Sequence, residues 1–200
     1  MNFLAHFHIA DQTRTSFTGA LLGDFVRGSE FSSIDASIVE GIRIHRKVDQ
    51  LSANLPNLVS IRVDYQQGQR RYLGIVTDML MDHIIAARWP QFDPRSLNEF
   101  SQMAYKNLLT GFEQWPKYGQ VRARMIQYDW LCQYQSEERI LKALEQISQR
   151  LKRPVNLRAI GESVLRHHSN ELHRACFDDY RVLIQTLVHG HSLQAQKRAT

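Results

Sequence analysis

The stretch Tyr72–Ala87, YLGIVTDMLMDHIIAA, carries two carboxyls and an imidazole inside an almost wholly apolar run bounded by Arg71 and Arg88. A helix that is apolar all round is a buried one. Asp78 and Asp82 are four residues apart and project from one face, and His83 stands about 100° round from Asp82. Like charges at that spacing repel, and an ionised carboxylate in a core is costly, so the pair must be ion-paired, protonated or bound to a cation. A divalent metal answers this; arginines from elsewhere in the chain are the alternative.

Three further segments carry similar groups. In Gly41–Leu51, GIRIHRKVDQL, His45 and Asp49 again share a helical face, although Asp49 could pair with Arg46 and His45 could be a satisfied, half-buried imidazole. In Leu21–Gly28, LLGDFVRG, Asp24 is the one acid of an apolar helix, and Arg27 is within pairing reach. His6 and His8 in NFLAHFH would share a face on a strand but not on a helix, which makes them the weakest of the four signals. Asp24, His45, Asp49, Asp78, Asp82 and His83 thus lie on three predicted helices. Imidazole and carboxylate donors without thiolate suit Mn²⁺, Mg²⁺ or Fe²⁺ better than structural zinc. A metal so held acidifies a water and polarises a phosphoryl oxygen, which favours phosphoester hydrolysis.

Other chemistry is poorly supported. The chain has no GxSxG, Walker or GxGxxG motif, and Cys132 and Cys176 are far apart with no CxxC partner. His167, His168 and His173 read as a polar helix face, because no carboxylate frames them.

The elements that must position these groups are helical. Asn2–Ala10 is a short apolar piece. A run from about Ser16 to Val26 ends at Gly28, and Ser33 precedes the amphipathic stretch Ile34–Leu51. Pro56 marks a break. Arg70–Trp89 is a strong helix stopping before Pro90, and Ser96-Leu97-Asn98-Glu99 has the form of a capping box. The chain is expected to turn around Trp115-Pro116 and Gly119, then to form a helix containing Tyr128, Trp130 and Leu131. Ser136 can cap a helix Glu137–Lys152 ended by Pro154. A long helix, or two abutting ones, spans Asn156–His189, with a frayed polar tail over 191–200. The expected fold is all-α, a single globular bundle of roughly seven to nine helices.

Two hundred residues at 43% hydrophobic suit one domain of ordinary size, or at most two small ones. The 22% charged and 10% aromatic content argues against disorder. No apolar run is long enough to span a membrane. The opening MNFLAHFHIADQ lacks the basic start of a secretion signal, so a cytoplasmic chain is expected. Lys and Arg number 25 against 20 Asp and Glu, a net charge of +5 that favours an acidic partner. The basic residues are not interleaved with aromatics as a nucleic-acid groove requires, so no nucleic-acid partner is expected.

The blocks MNFLAHFHIA, GALLGDFVRG, GIRIHRKVD and DMLMDH, in this order and spacing, resemble the acyl carrier protein phosphodiesterases, also called acyl carrier protein hydrolases. The likeness is dense over residues 1–90, continues loosely through YDWLCQY and weakens in the C-terminal third. The resemblance implies a helical, HD-like, metal-dependent phosphodiesterase. It would remove the 4′-phosphopantetheine arm from holo acyl carrier protein, with Mn²⁺ as the typical metal. It carries over Asp24, His45, Asp49, Asp78, Asp82 and His83 as metal and catalytic residues, with His45, Asp78 and His83 as catalytic candidates. Unlike ordinary HD enzymes, the chain has no His-Asp dipeptide; it has the reverse, Asp82-His83. Arg27, Arg43, Arg46, Lys47, Arg70 and Arg71 flank these blocks as candidate contacts to the acidic carrier protein. Alanine at Asp78 or Asp82 is expected to abolish activity and leave the fold mostly intact. The competing readings are a related phosphohydrolase acting on a nucleotide or other small phosphoester, and a non-enzymatic helical module that binds an acidic protein.

Overall fold

A computed structural model describes residues 1–29 and 31–199 of the chain, with side chains to residue 193. Among the described residues there are twelve α-helical segments and no strand, in agreement with the all-α expectation. In chain order they are α1 (Phe3–Gln12), α2 (Phe17–Leu22), α3 (Ala36–Ser52), α4 (Pro56–Val63), α5 (Gln67–Ala87) and α6 (Leu97–Lys106). There follow α7 (Pro116–Gln127), α8 (Trp130–Gln133), α9 (Glu137–Ser148), α10 (Leu157–His167), α11 (Ser169–Arg174) and α12 (Tyr180–Ala199). A 3₁₀ turn at Trp89–Gln91 follows α5, and one π-helical stretch, Ala175–Asp179, joins α11 to α12.

Local chemistry explains most boundaries. The capping box at α6 is formed: Ser96 Oγ accepts from the Glu99 amide at 3.2 Å and Glu99 accepts from the Ser96 amide at 2.8 Å. Helix α3 begins at Ala36, two residues later than the stretch expected from Ile34, and is capped by Asp35, whose Oδ1 takes the Ser37 amide at 2.8 Å. Pro56 and Pro116 begin α4 and α7 rather than only breaking the chain. Proline fits the first helical position, where its missing N–H has no partner to lose. Gly119 therefore lies inside α7. The helix expected through Tyr128 and Trp130 is split at Asp129, whose φ of 45° is left-handed; its Oδ1 accepts from Tyr105 Oη at 2.9 Å. Helix α9 stops at Ser148, four residues before Lys152. The C-terminal stretch is α10, α11, the π turn and α12. Its backbone remains helical to Ala199, beyond the predicted end at His189; Thr200 lies outside the described residues.

The hydrophobic core runs continuously from Met1 to Leu187. Helix α1 is at its centre: Leu4 to Ala10 are all buried, His6 and His8 included. It packs on α2, α3, α5 and α12. Its far end is held by Arg95, which pairs with Asp11 and Asp93. Helices α2 and α3 approach closely enough that a Cβ on Gly19 would strike the Ile38 carbonyl and stand 2.8 Å from Gly41 Cα. No helix among the described residues is long and apolar enough to cross a membrane.

His8 sits among Trp89, Phe100 and Tyr180, with its Nδ1 2.9 Å from Tyr180 Oη. Burial lowers its pKa from 6.5 to about 4. A folded-state pKa below the unfolded value means that the unfolded chain binds more protons between the two. Stability is therefore full above pH 6.5, falls as pH drops toward 4 and then levels, by up to about 3 kcal/mol from this group. Urea melts from pH 7 to 4 should show this slope in the wild type. It should be shallower in His8→Gln; equal slopes would assign the acid loss to other groups.

Candidate metal centre

Helices α1 and α3 cross so that His6 and His45 stack, ring centroids 3.9 Å apart and planes 16° from parallel. Both turn Nε2 toward one carboxylate. His6 Nε2 lies 3.1 Å from Asp49 Oδ1 and His45 Nε2 lies 3.2 Å from Asp49 Oδ2. The three donor atoms fall within 4.8 Å of one another, and no other such group of His, Cys, Asp or Glu is found among the described residues. His45 and Asp49 are together because they are one turn apart on α3. His6 joins them only because α1 lies across that helix.

Two more acids border the group. Asp24, in the turn after α2, has Oδ1 3.6 Å from His45 Nε2 and keeps 45% of its side chain exposed. Asp78 of α5 reaches the same end through the Met1 amino group, which lies 3.1 Å from Asp78 Oδ1 and 3.9 Å from Asp49 Oδ1. Neither the Arg27 partner considered for Asp24 nor the Arg46 partner considered for Asp49 is present among the described contacts. Arg46 instead donates to the Val26 and Gly28 carbonyls, each at 2.7 Å, and fixes that loop on α3.

Asp82 and His83 are placed elsewhere. Asp82 is fully buried and accepts the amides of Leu4 at 2.7 Å and Ala5 at 3.1 Å. His83 Nδ1 meets the Tyr134 carbonyl at 2.8 Å. Of the six residues singled out by spacing, the structure brings together Asp24, His45, Asp49 and Asp78, and adds His6. His8 points the other way, as two residues on one helix must.

Electrostatics match a cation-holding group. Burial and then the nearby His45 lower the His6 pKa to about 3, so its ring is neutral at pH 7. Burial works to raise Asp49, but the hydrogen bonds from His45 and His6 outweigh it and keep the carboxyl well below its usual range. Asp24 is shifted upward, first by lost hydration and then by Asp49 and Asp78, against the pull of His45. Burial pushes Asp82 up to about 7 against the two amides that pull it down. Two imidazoles and an ionised carboxylate, bordered by further acids, are the donor set that a divalent ion takes.

Gly23 adjoins the group. It lies flat against His45, where a Cβ would overlap the imidazole ring.

The chain matches the family described as acyl carrier protein phosphodiesterase over residues 1–182. It belongs to the acyl carrier protein phosphodiesterase family. Over 155 residues it is 34% identical to an acyl carrier protein phosphodiesterase of Shigella boydii, covering 76% of this chain and 80% of that one. To the protein of that name from Serratia proteamaculans it is 40% identical over 110 residues, 54% of this chain and 57% of the relative. To one from Escherichia coli it is 33% identical over 155 residues, 76% and 80% of the two chains. No solved structure matches. The family match runs from α1 into α12 and so includes every residue of the group just described.

The aromatics Phe25, Trp89, Tyr128 and Trp130 do not form one group. Trp89 is buried in the core, Phe25 packs edge-on to Tyr118, Trp130 stacks on Phe3, and Tyr128 is half exposed.

Proposed function

We propose that this protein hydrolyses the phosphodiester that links 4′-phosphopantetheine to the serine of holo acyl carrier protein, releasing the apo protein. We read it as a cytoplasmic, one-domain, HD-like enzyme that works with Mn²⁺, Mg²⁺ or Fe²⁺ being alternatives. The observation that carries the reading is the pair of stacked imidazoles with both Nε2 atoms turned to Asp49, in a chain of this family. His6, His45 and Asp49 would hold the ion, with Asp24 and Asp78 beside them. When bound, a divalent ion there supplies Lewis-acid chemistry, polarising a phosphoryl oxygen and acidifying a water.

The remaining steps belong to the side chains. Asp49 keeps both imidazoles oriented. Asp24, with its raised pKa and partial exposure, is suited to carry a proton between the attacking water and the departing serine oxygen. Asp78 fixes a positive group at the rim. Of the basic candidates, Arg27, Arg43 and Lys47 are exposed toward solvent, Arg43 beside Glu40 at 3.3 Å. Arg46, Arg70 and Arg71 are tied to backbone carbonyls: Arg70 to Tyr65 and Val63, Arg71 to Gly68. The docking role therefore falls chiefly on the first three.

The test is mass spectrometry of holo acyl carrier protein incubated with enzyme and Mn²⁺. Loss of the prosthetic-group mass, slowed by added salt as steering by charge requires, is expected. An intact holo protein alongside hydrolysis of nucleotides or other small esters would replace this reading with the small-phosphoester one.

A further inference from the structure

We infer that Asp82 is a positioning residue for His6: by accepting the Leu4 and Ala5 amide hydrogens, it sets α1 so that the imidazole on the next residue meets Asp49. The first amides of a helix have no partner inside it, and a capping side chain just before the helix normally serves them. Asn2, at that place in α1, makes no side-chain cap bond. The acceptor comes instead from α5, 78 and 77 residues away in sequence, and it meets the second and third helical residues that a local cap would serve. A carboxylate there also favours the positive end of the helix dipole.

His6 needs such a device. A metal-binding histidine is normally held by a hydrogen bond to its other ring nitrogen. His6 Nδ1 is buried and has no partner among the described residues, and the Nε2 side has only Asp49 and the Met1 carbonyl at 3.2 Å. No hydrogen bond holds the Nδ1 side of the ring, which otherwise rests on its stack with His45, so its position depends on where α1 lies. Each residue of a helix adds about 100° and 1.5 Å, so a small slip of α1 carries His6 off Asp49. Asp82 is the group that fixes the depth of that helix at its first turn.

The inference rests on the reading that His6, His45 and Asp49 hold an ion. Mn²⁺ binding by the wild-type chain tests that reading; variants at Asp82 test this one. Asp82→Asn keeps one acceptor and turns an amide NH₂ toward the second backbone N–H. With an unchanged far-ultraviolet circular dichroism spectrum, it should weaken Mn²⁺ binding by about tenfold or more. In a His6→Ala background the same change should alter affinity less than about twofold, since there is no ring left to misplace. In the metal-free protein, Asp82→Asn should move the His6 ring nuclear magnetic resonance signals. These decide the matter where His6→Ala binds too weakly to titrate. Native affinity with unmoved His6 signals would overturn the inference. So would an undiminished loss in the His6→Ala background, which would make Asp82 a ligand in its own right. If Asp82→Asn does not fold, Asp82→Ser, which retains one small acceptor and no buried charge, takes its place in both measurements.

Discussion

Asp49→Ala should lower carrier-protein hydrolysis by at least about 10²–10³-fold, the scale on which removal of one charge-stabilising group acts. Its carboxylate is the one group that both imidazoles face, at 3.1 and 3.2 Å, so no neighbour can replace it. About half of the side chain meets solvent, and the core does not depend on it. Circular dichroism should therefore be unchanged. The wild type at 100 times its dissociation constant for Mn²⁺ gains about 2.7 kcal/mol, which for a chain of this size raises Tm by about 5–10 °C. The Asp49→Ala melt should not move with Mn²⁺. An active variant with a native Mn²⁺ response would remove this site from the mechanism. Asp78→Ala should cost less, because Asp78 stands outside the three converging donors. Asp82→Ala should loosen α1 itself, so the intact fold expected for that variant from sequence is revised.

Gly23→Ala should produce the second large effect, by the addition of one methyl group. Gly23 has φ −50° and ψ −35°, which alanine adopts without strain. The obstacle is the His45 ring that its Cβ would overlap. Turning the ring alone does not relieve this, because His45 Cβ would lie 2.8 Å away and moves only with α3; the turn must therefore also draw back slightly, and the fold should survive at about 1–3 kcal/mol of overpacking cost. His45 Nε2, once displaced, no longer meets Asp49, and activity and Mn²⁺ affinity should fall together by about tenfold or more. Gly19→Ala, four residues earlier, is the contrast. Its Cβ would strike backbone atoms of α3, so α2 and α3 must part, and thermal melts should show the larger stability loss. If Gly23→Ala instead binds Mn²⁺ normally, the ring has room that the structure does not show.

The pairs His45–Asp49 and Asp78–Asp82 were legible because four-residue spacing is a local property of a helix. What each pair meets is a tertiary property. Asp78 and Asp82 share a face, yet the first turn of α1 crosses α5 beside Asp82, and that acid caps a helix instead of joining the cluster. His6 carries no local signal: its nearest histidine, His8, points into the aromatic core, and its partners are about 40 residues away on α3. Proline was read correctly as a boundary at 56 and 116, but a boundary has two sides, and the helix lies on the later one. The left-handed turn at Asp129 is invisible to apolar periodicity, since the residues on either side continue the pattern.

The remote cap on α1 also bears on how the chain acquires its shape. Ten residues are too few for a stable helix in water, and this one lacks a cap of its own. During synthesis the amino-terminal segment leaves the ribosome first, yet the acceptor that completes its first turn follows some eighty residues later. That segment must therefore stay unsettled until α5 has emerged, and only then does α1, buried from Leu4 to Ala10, lock into place. A nascent chain cut short before residue 82 should thus be open to proteases within Phe3–Gln12.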